Sequence, residues 1–427
     1  MQWEQYITKH YTTWHPIAHT FLFGLLCDIG NVLLGDYNKG LALYSIVQIL
    51  IVSVSLTNAF IFLYGLRLSG KIKIFLYLLY LLFPLIYLME MASTKDTIFG
   101  ALFLLCFIAL CKFIKGNKKV GSTNILFVVM MICMNCFRNN SVYGLILMMG
   151  VLGIISLCFK EKSKDRAVYI RSIVYVTIGV ACSIGMLKAI QFGANGAVMD
   201  NKREKFSIPS QQIARVYKYH YSDLEKDDIK RIDEYYNEEI KEYKPFIADP
   251  TKGSWNESYY EKNPFGYYKL WFELGIKYPK DYILAFLLNT KGIWHIKDKS
   301  HSEIKGGYVE MGFSPPIDEE HDVREHSLWP EMQKIYNDFS YMKKYQDIPV
   351  LSLLFSPALY VWITGGSIAV ALYKKKYILI IPGLFILCYC VTLLLGPCII
   401  IRYCFPFIIA TPFYTLFVVS ECREKLF

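Results

Sequence analysis

Nine residues carry groups able to bind or turn over a charged ligand while sitting beside long apolar runs: His15, His19, Glu90, Lys95, Asp96, Arg138, Asn139, Arg402 and Tyr403. They form four clusters, Trp14-His15-Pro16 with His19, Glu90 with Lys95-Asp96, Arg138-Asn139-Asn140, and Arg402-Tyr403. Charge at the end of a membrane helix is costly and calls for a reason. Asp96 could serve as a general base or metal ligand, with Glu90 one turn earlier sharing the task and Lys95 binding an anion. Arg138 and Arg402 could pair bidentately with a phosphate, and His15 and His19 could recognise one by charge or hydrogen bonding. Each cluster also has a purely structural use. Asp96 or Ser93 would cap a helix, the two arginines would snorkel to head groups, Asn139 suits a tight turn, and His15-Pro16 would start a helix. The His15/His19 spacing supplies two metal ligands and no third. A divalent cation is therefore a cofactor only the carboxylates could invite. The Gly-rich phosphate loops, GxSxG and HExxH are absent, so a hydrolase triad has no support.

The elements that must position these groups are membrane helices. Of 427 residues 54% are apolar and 16% aromatic, and the mean hydropathy is +0.31, which does not fit a water-soluble surface. Charge divides the chain into two solvents. Residues 191–349 hold 23 Lys and Arg against 27 Asp and Glu, while the rest holds 23 against 9, so the net +10 is a topology signal and not a nucleic-acid footprint. All twelve cysteines lie outside 191–349 with no disulfide or zinc spacing, and packing is their default use.

A bilayer core about 30 Å thick needs roughly 20 apolar residues per helix. Windows of that kind occur near 41–66, 72–91, 97–115, 168–190, 350–372, 377–396 and 403–420, with shorter ones near 123–137 and 142–159. These predict nine spans. Connections rich in Lys and Arg (67–73, 112–119, 160–171, 374–376 and the C-terminal tail) fall on alternate sides from those bearing the four clusters, so the positive-inside rule puts the tail in the cytoplasm and 191–349 outside. All four clusters then share the outer side. Residues 17–34, with Asp28 inside the run, predict a helix lying in the outer interface. The 191–349 stretch predicts a mainly helical extracytoplasmic domain with charged helical material at 226–241 and loop between 299 and 345. Within it, 271–294 has an apolar patch flanked by Trp, Tyr and Lys, which suits either an interfacial helix or a core helix. The expected division is 1–40 outer loop and interfacial helix, 41–190 six-span bundle, 191–349 outer domain and 350–427 three-span bundle.

The order of WHPIAHTFLFGL, ALYSIVQIL, STKDTIFGALFLL, FRNNSVYGL, KYPKDYILAFLLNTKGIW and GPCIIIRYCFPFIIATP resembles a family of uncharacterised bacterial polytopic proteins near the GT-C glycosyltransferases, to which protein O-mannosyltransferases and aminoarabinose transferases belong. The likeness covers most of 12–417. It implies transfer of a sugar from a polyprenyl-phosphate-linked donor to an extracytoplasmic acceptor at the lipid bilayer. A first-loop carboxylate would act as base, Asp96 would match the second-loop acid, His15 the polar residue before Pro, and Arg138 and Arg402 the phosphate ligands. Relatives carry a membrane helix and an Asp-containing loop ahead of the Trp-His-Pro segment, so upstream coding sequence is expected to supply both. Other readings are a polysaccharide polymerase, a lipid or oligosaccharide flippase-type transporter, and a catalytically degenerate membrane protein. A transporter would place ionisable groups mid-membrane, often in repeated halves, and neither is visible here.

Overall fold

The computed structural model describes residues 2–13, 15–116, 121–161, 163–194, 203–296, 329–340 and 344–423. Among them there is no β-strand beyond three isolated bridges, and the chain is an all-helical multi-pass membrane protein. Its N-terminal part comprises α1 (Gln2–Thr8), α2 (Ile17–Leu34), α3 (Tyr37–Tyr64), α4 (Gly70–Leu81), α5 (Pro84–Met91), α6 (Lys95–Lys115), α7 (Ser122–Phe137), α8 (Asn140–Leu157) and α9 (Lys164–Gly193). A polar unit follows with α10 (Ser207–His220), α11 (Lys226–Tyr235), α12 (Asp249–Gly253), α13 (Glu257–Lys262), α14 (Pro264–Lys277), α15 (Pro279–Asn289), α16 (Lys291–Trp294) and α17 (Pro330–Ser340). The chain then returns to apolar helices α18 (Pro349–Leu354), α19 (Pro357–Tyr373), α20 (Ile380–Leu393) and α21 (Ile401–Cys422).

Helices lie in all nine expected windows. Five (α3, α6, α8, α9, α21) are singly long and apolar enough to cross a membrane. The window near 72–91 is instead the pair α4 and α5, bent by 42°. Pro84 lacks the N–H that would continue the ladder, and the Tyr87 hydroxyl donates to the Leu81 carbonyl across the break. The windows near 123–137, 350–372 and 377–396 hold shorter apolar helices, Ser122–Phe137, Pro357–Tyr373 and Tyr377–Leu393.

Helix α6 is the axis of the bundle. Phe99, Phe103, Phe107 and Phe113 are wholly buried, and α3, α7 and α21 surround it. Water cannot drive helix association within lipid, so small residues and hydroxyls make the close contacts. The Ser55 hydroxyl of α3 donates to the Ala101 carbonyl of α6 at 2.7 Å, and the Thr364 and Thr411 hydroxyls join α19 to α21 at 3.0 Å. The cysteines are free thiols, with Cys106, Cys111 and Cys404 fully buried.

Helix α2, at 18 residues, is a sixth helix with the length and hydropathy of a span. It packs side by side with α3. Gly30 and Cys27 of α2 meet Gly40 of α3, where a Cβ on either glycine would strike the other helix's backbone. His19 and Phe23 both reach Tyr44, at ring separations of 5.7 and 5.2 Å. Cys27 to Phe23 on α2 and Gly40 to Tyr44 on α3 advance by the same four residues in opposite senses, so the two helices run antiparallel. This contact lies on the first turns of α3, ahead of Gln48, which is level with the start of α6 through its bond to Ala92.

In the polar unit Phe206, Tyr217, Tyr235, Tyr236 and Tyr267 form a separate aromatic core. The stretch 271–294 is no single helix: Pro279 and Lys291 divide it among α14, α15 and α16. Residues 330–340, expected as loop, form α17, because Pro330 opens a helix and Tyr336 anchors it by donating to the Tyr87 carbonyl at 2.6 Å. The remainder of the expected loop, 299–328 and 341–343, lies outside the described residues.

Candidate functional site

Three helix ends converge where the bundle meets the polar unit. Thr94 caps α6 by accepting from the Asp96 amide at 3.3 Å, so the cap is neither Ser93 nor Asp96 itself, and the Asp96 carboxylate is left to turn inward. It is 1% exposed. The Arg138 guanidinium donates to its Oδ1 and Arg402 Nε lies 3.7 Å from its Oδ2, so arginines 264 positions apart share one carboxylate. Arg138 ends α7, where the Ser141 hydroxyl lies 2.6 Å from the Arg138 carbonyl and 2.5 Å from Asn135 Oδ1. Its buried guanidinium sits over the Tyr403 ring at 4.6 Å and near Phe99 and Tyr389 at 5.5 and 5.9 Å. These faces take the cation from which water has been removed. Arg402 stacks 5.1 Å from the Tyr403 centroid and donates to the Tyr403 hydroxyl at 3.3 Å, and its side chain keeps 28% exposure.

The polar unit holds the Arg402 loop. The Ala248 amide donates to the Pro397 carbonyl at 2.8 Å, Ile247 bridges Cys398, and Asn289 donates to the Gly396 carbonyl at 3.2 Å. On the opposite side a hydrogen-bonded relay holds the loop before Asp96. Gln48 Nε2 donates to the carbonyls of Met89, Glu90 and Ala92, which leaves its Oε1 to accept from the Tyr44 hydroxyl at 2.9 Å. The Tyr44 oxygen then accepts from His19 Nε2 at 2.7 Å, and His19 Nδ1 accepts from the Gln2 amide at 2.9 Å. Every donor in this series is set by the fixed amide at each end.

The structure therefore brings Asp96, Arg138, Arg402 and Tyr403 into contact and gives the other expected residues different places. His19 is wholly buried with both ring nitrogens engaged, which leaves it neither a metal coordination site nor a phosphate donor. The helical pairing expected of His15 and His19 does not form, because the helix begins at Ile17 and His15 lies in the preceding loop. Asn139 donates to the Thr13 carbonyl at 3.3 Å and ties that loop to the α7–α8 turn. Lys95 is half-buried at the start of α6. Asp96 is not an unencumbered base, since both oxygens face guanidinium groups. Glu90 is half-buried at the end of α5; its carboxylate adds to the burial that raises the Tyr336 phenol, which places it toward α17. Trp14 lies outside the described residues. Among the described residues no group of three or more His, Cys, Asp or Glu could hold a metal ion.

A recess of about 260 Å³, open to solvent, lies beside the Arg138 turn and is bounded by Thr13, His15, Asn139, Leu187 and Gln191. Burial, then the Lys95 cation, holds the His15 imidazolium down to about 4, with Arg402 acting in the same sense and Asp96 against it. His15 thus stays neutral in the folded chain where it would already be charged in the unfolded one. The unfolded state binds more protons between pH 6.5 and 4, so stability is expected to fall as pH drops through that window. His15→Gln should flatten the fall; a variant whose melting temperature tracks the parent at both pH 7 and pH 4.5 would exclude His15 as the cause.

Gln48, Tyr44 and Tyr389 were not apparent as contributors to the site. The one available signal was a glutamine inside the apolar run ALYSIVQIL, a position where an amide must find partners. Residues 3–426 match a family described as one of unknown function (DUF6020). No curated protein and no solved structure matches the chain.

Proposed function

We propose that this chain, which belongs to the DUF6020 family, is a membrane glycosyltransferase of the GT-C type that moves a sugar from a polyprenyl-phosphate-linked donor to an extracytoplasmic hydroxyl. The carrying observation is the cluster at the helix ends, where Arg138 and Arg402 meet on the carboxylate of Asp96 with half-buried Lys95 next to it in the chain. Cations gathered beside a bilayer complement a lipid-linked phosphate, and Arg402, the more exposed guanidinium, offers the planar fork that grips one. Asp96 orients the two arginines. In the transfer, the acceptor oxygen bonds to the anomeric carbon as the bond to the phosphate oxygen breaks; the phosphate leaves with that electron pair onto the arginines, and the hydroxyl proton passes to a carboxylate. We assign that proton to Glu90, on the Gln48-held segment that leads to Asp96, because the oxygens of Asp96 face the guanidiniums.

Nine spans with the Lys-rich connections inside put the cluster and residues 203–296 on the outer side.

The experiment uses the purified chain in nanodiscs with a polyprenyl phosphate as ligand and a radiolabelled polyprenyl-phosphate sugar as donor. Loss of one charge-assisted bond, about 1.5–3 kcal/mol, predicts that Arg402→Ala weakens polyprenyl-phosphate binding by roughly 10-fold or more. Glu90→Gln should keep binding and lose transfer. Unchanged binding in Arg402→Ala would remove the phosphate site, and unchanged transfer in Glu90→Gln would remove the assigned base.

A further inference from the structure

The polar unit carries an apolar face that its own core does not use. On α14 the side chains Tyr267, Leu270 and Leu274 point into the aromatic core. Phe265, Phe272 and Ile276 lie on the opposite side and are 79%, 63% and 67% exposed, with Tyr268 between the two faces, its ring on Tyr260 and Tyr267. Helix α15 folds back on α14 through Tyr282, whose hydroxyl donates to the Trp271 carbonyl at 2.8 Å, and adds exposed Ile283 and Leu287. Large apolar side chains gathered on one helix hairpin mark a surface that is covered in use.

We propose that this α14–α15 hairpin rests in the head-group region of the outer leaflet, so that the polar unit is held to the lipid by its own face as well as by the bundle. Continuity with the bundle's lipid-exposed rim names the occupant. The hairpin leads through α16 to Trp294, whose carbonyl accepts from the Trp362 indole on α19 at 2.9 Å. Trp362, together with Val350 and Leu353 of α18, is exposed on the apolar helices at that same end. The hairpin is bordered by Lys262, Lys269, Lys277 and Lys280 and contains Trp271 and Tyr268, the basic and aromatic composition of an interface-lying segment. A water-facing helix would gain nothing from three aligned aromatic and aliphatic side chains.

The test places the photoreactive amino acid benzoylphenylalanine at position 265 or 272 of the full chain, reconstituted in liposomes of phosphatidylethanolamine and phosphatidylglycerol, with position 227 on charged α11 as reference. Irradiation should give phospholipid adducts at 265 and 272 and none at 227. Polypeptide-to-polypeptide adducts at 272 would mean that a protein covers the face, and absence of any adduct would mean that water does; either overturns the proposal. Hydroxyl-radical labelling of the unaltered chain is a check independent of substitution. Phe265 and Phe272 should oxidise at least several-fold less in liposomes than their exposure predicts, and full oxidation there would also overturn it.

Discussion

Replacing Asp96 with alanine is expected to destabilise the protein by about 3–5 kcal/mol, because it strands a buried cation without its counter-ion. Arg138 is 8% exposed and enclosed by Phe99, Tyr389 and Tyr403, with Arg402 beside it, so the guanidinium has no route to bulk water once the carboxylate is gone. Denaturation of the purified chain in one detergent reads the effect. The double replacement Asp96→Ala with Arg138→Met removes both charges while keeping apolar volume, and should recover most of the loss. If the single variant unfolds together with its parent, the pair does not hold the helix ends.

Gln48→Leu is expected to cost at least about 2 kcal/mol, since each buried polar group left without a partner costs about 1–3 kcal/mol. The substitution leaves the Tyr44 hydroxyl without its acceptor and takes a donor from the carbonyls of Met89, Glu90 and Ala92 together. Tyr44→Phe should cost less, because Gln48 still holds the backbone. The two variants also separate packing from positioning. Only Gln48→Leu frees the short connection from Met89 to Lys95, so only it should weaken polyprenyl-phosphate binding alongside stability. Equal binding losses in both variants would show that the relay, and not the loop it fixes, sets the site.

The membrane character and the nine helical windows were legible because they are local properties. Crossing hydrocarbon needs a run of apolar side chains of a given length, and a run is visible without knowing its neighbours. The same locality explains the misreadings. Breaks at Pro84 and Pro279 were visible as prolines, yet whether a proline bends a helix or ends it depends on what satisfies the several carbonyls left open at the break. At Leu81 that is the hydroxyl of Tyr87, six residues on. Helix α17 carries a helical spacing, Met332, Ile335, Tyr336 and Phe339, too short to stand out beside the Gly, Pro and His residues before it, and Tyr336 ties it to a carbonyl 249 positions away.

The site divides along the same line. Composition and charge alone told that Asp96, Arg138 and Arg402 lie at helix ends on one side, because each interrupts an apolar run where the bilayer stops. Tertiary structure decided that they meet on one carboxylate, that His19 is consumed by Tyr44 and Gln2, and that residues 247–248 and Asn289 hold the loop carrying Arg402. The physical reason is that burying a charge or a polar group is tolerable only beside a specific partner, and partners are chosen by which helices pack together, a property of the whole bundle that no single segment contains.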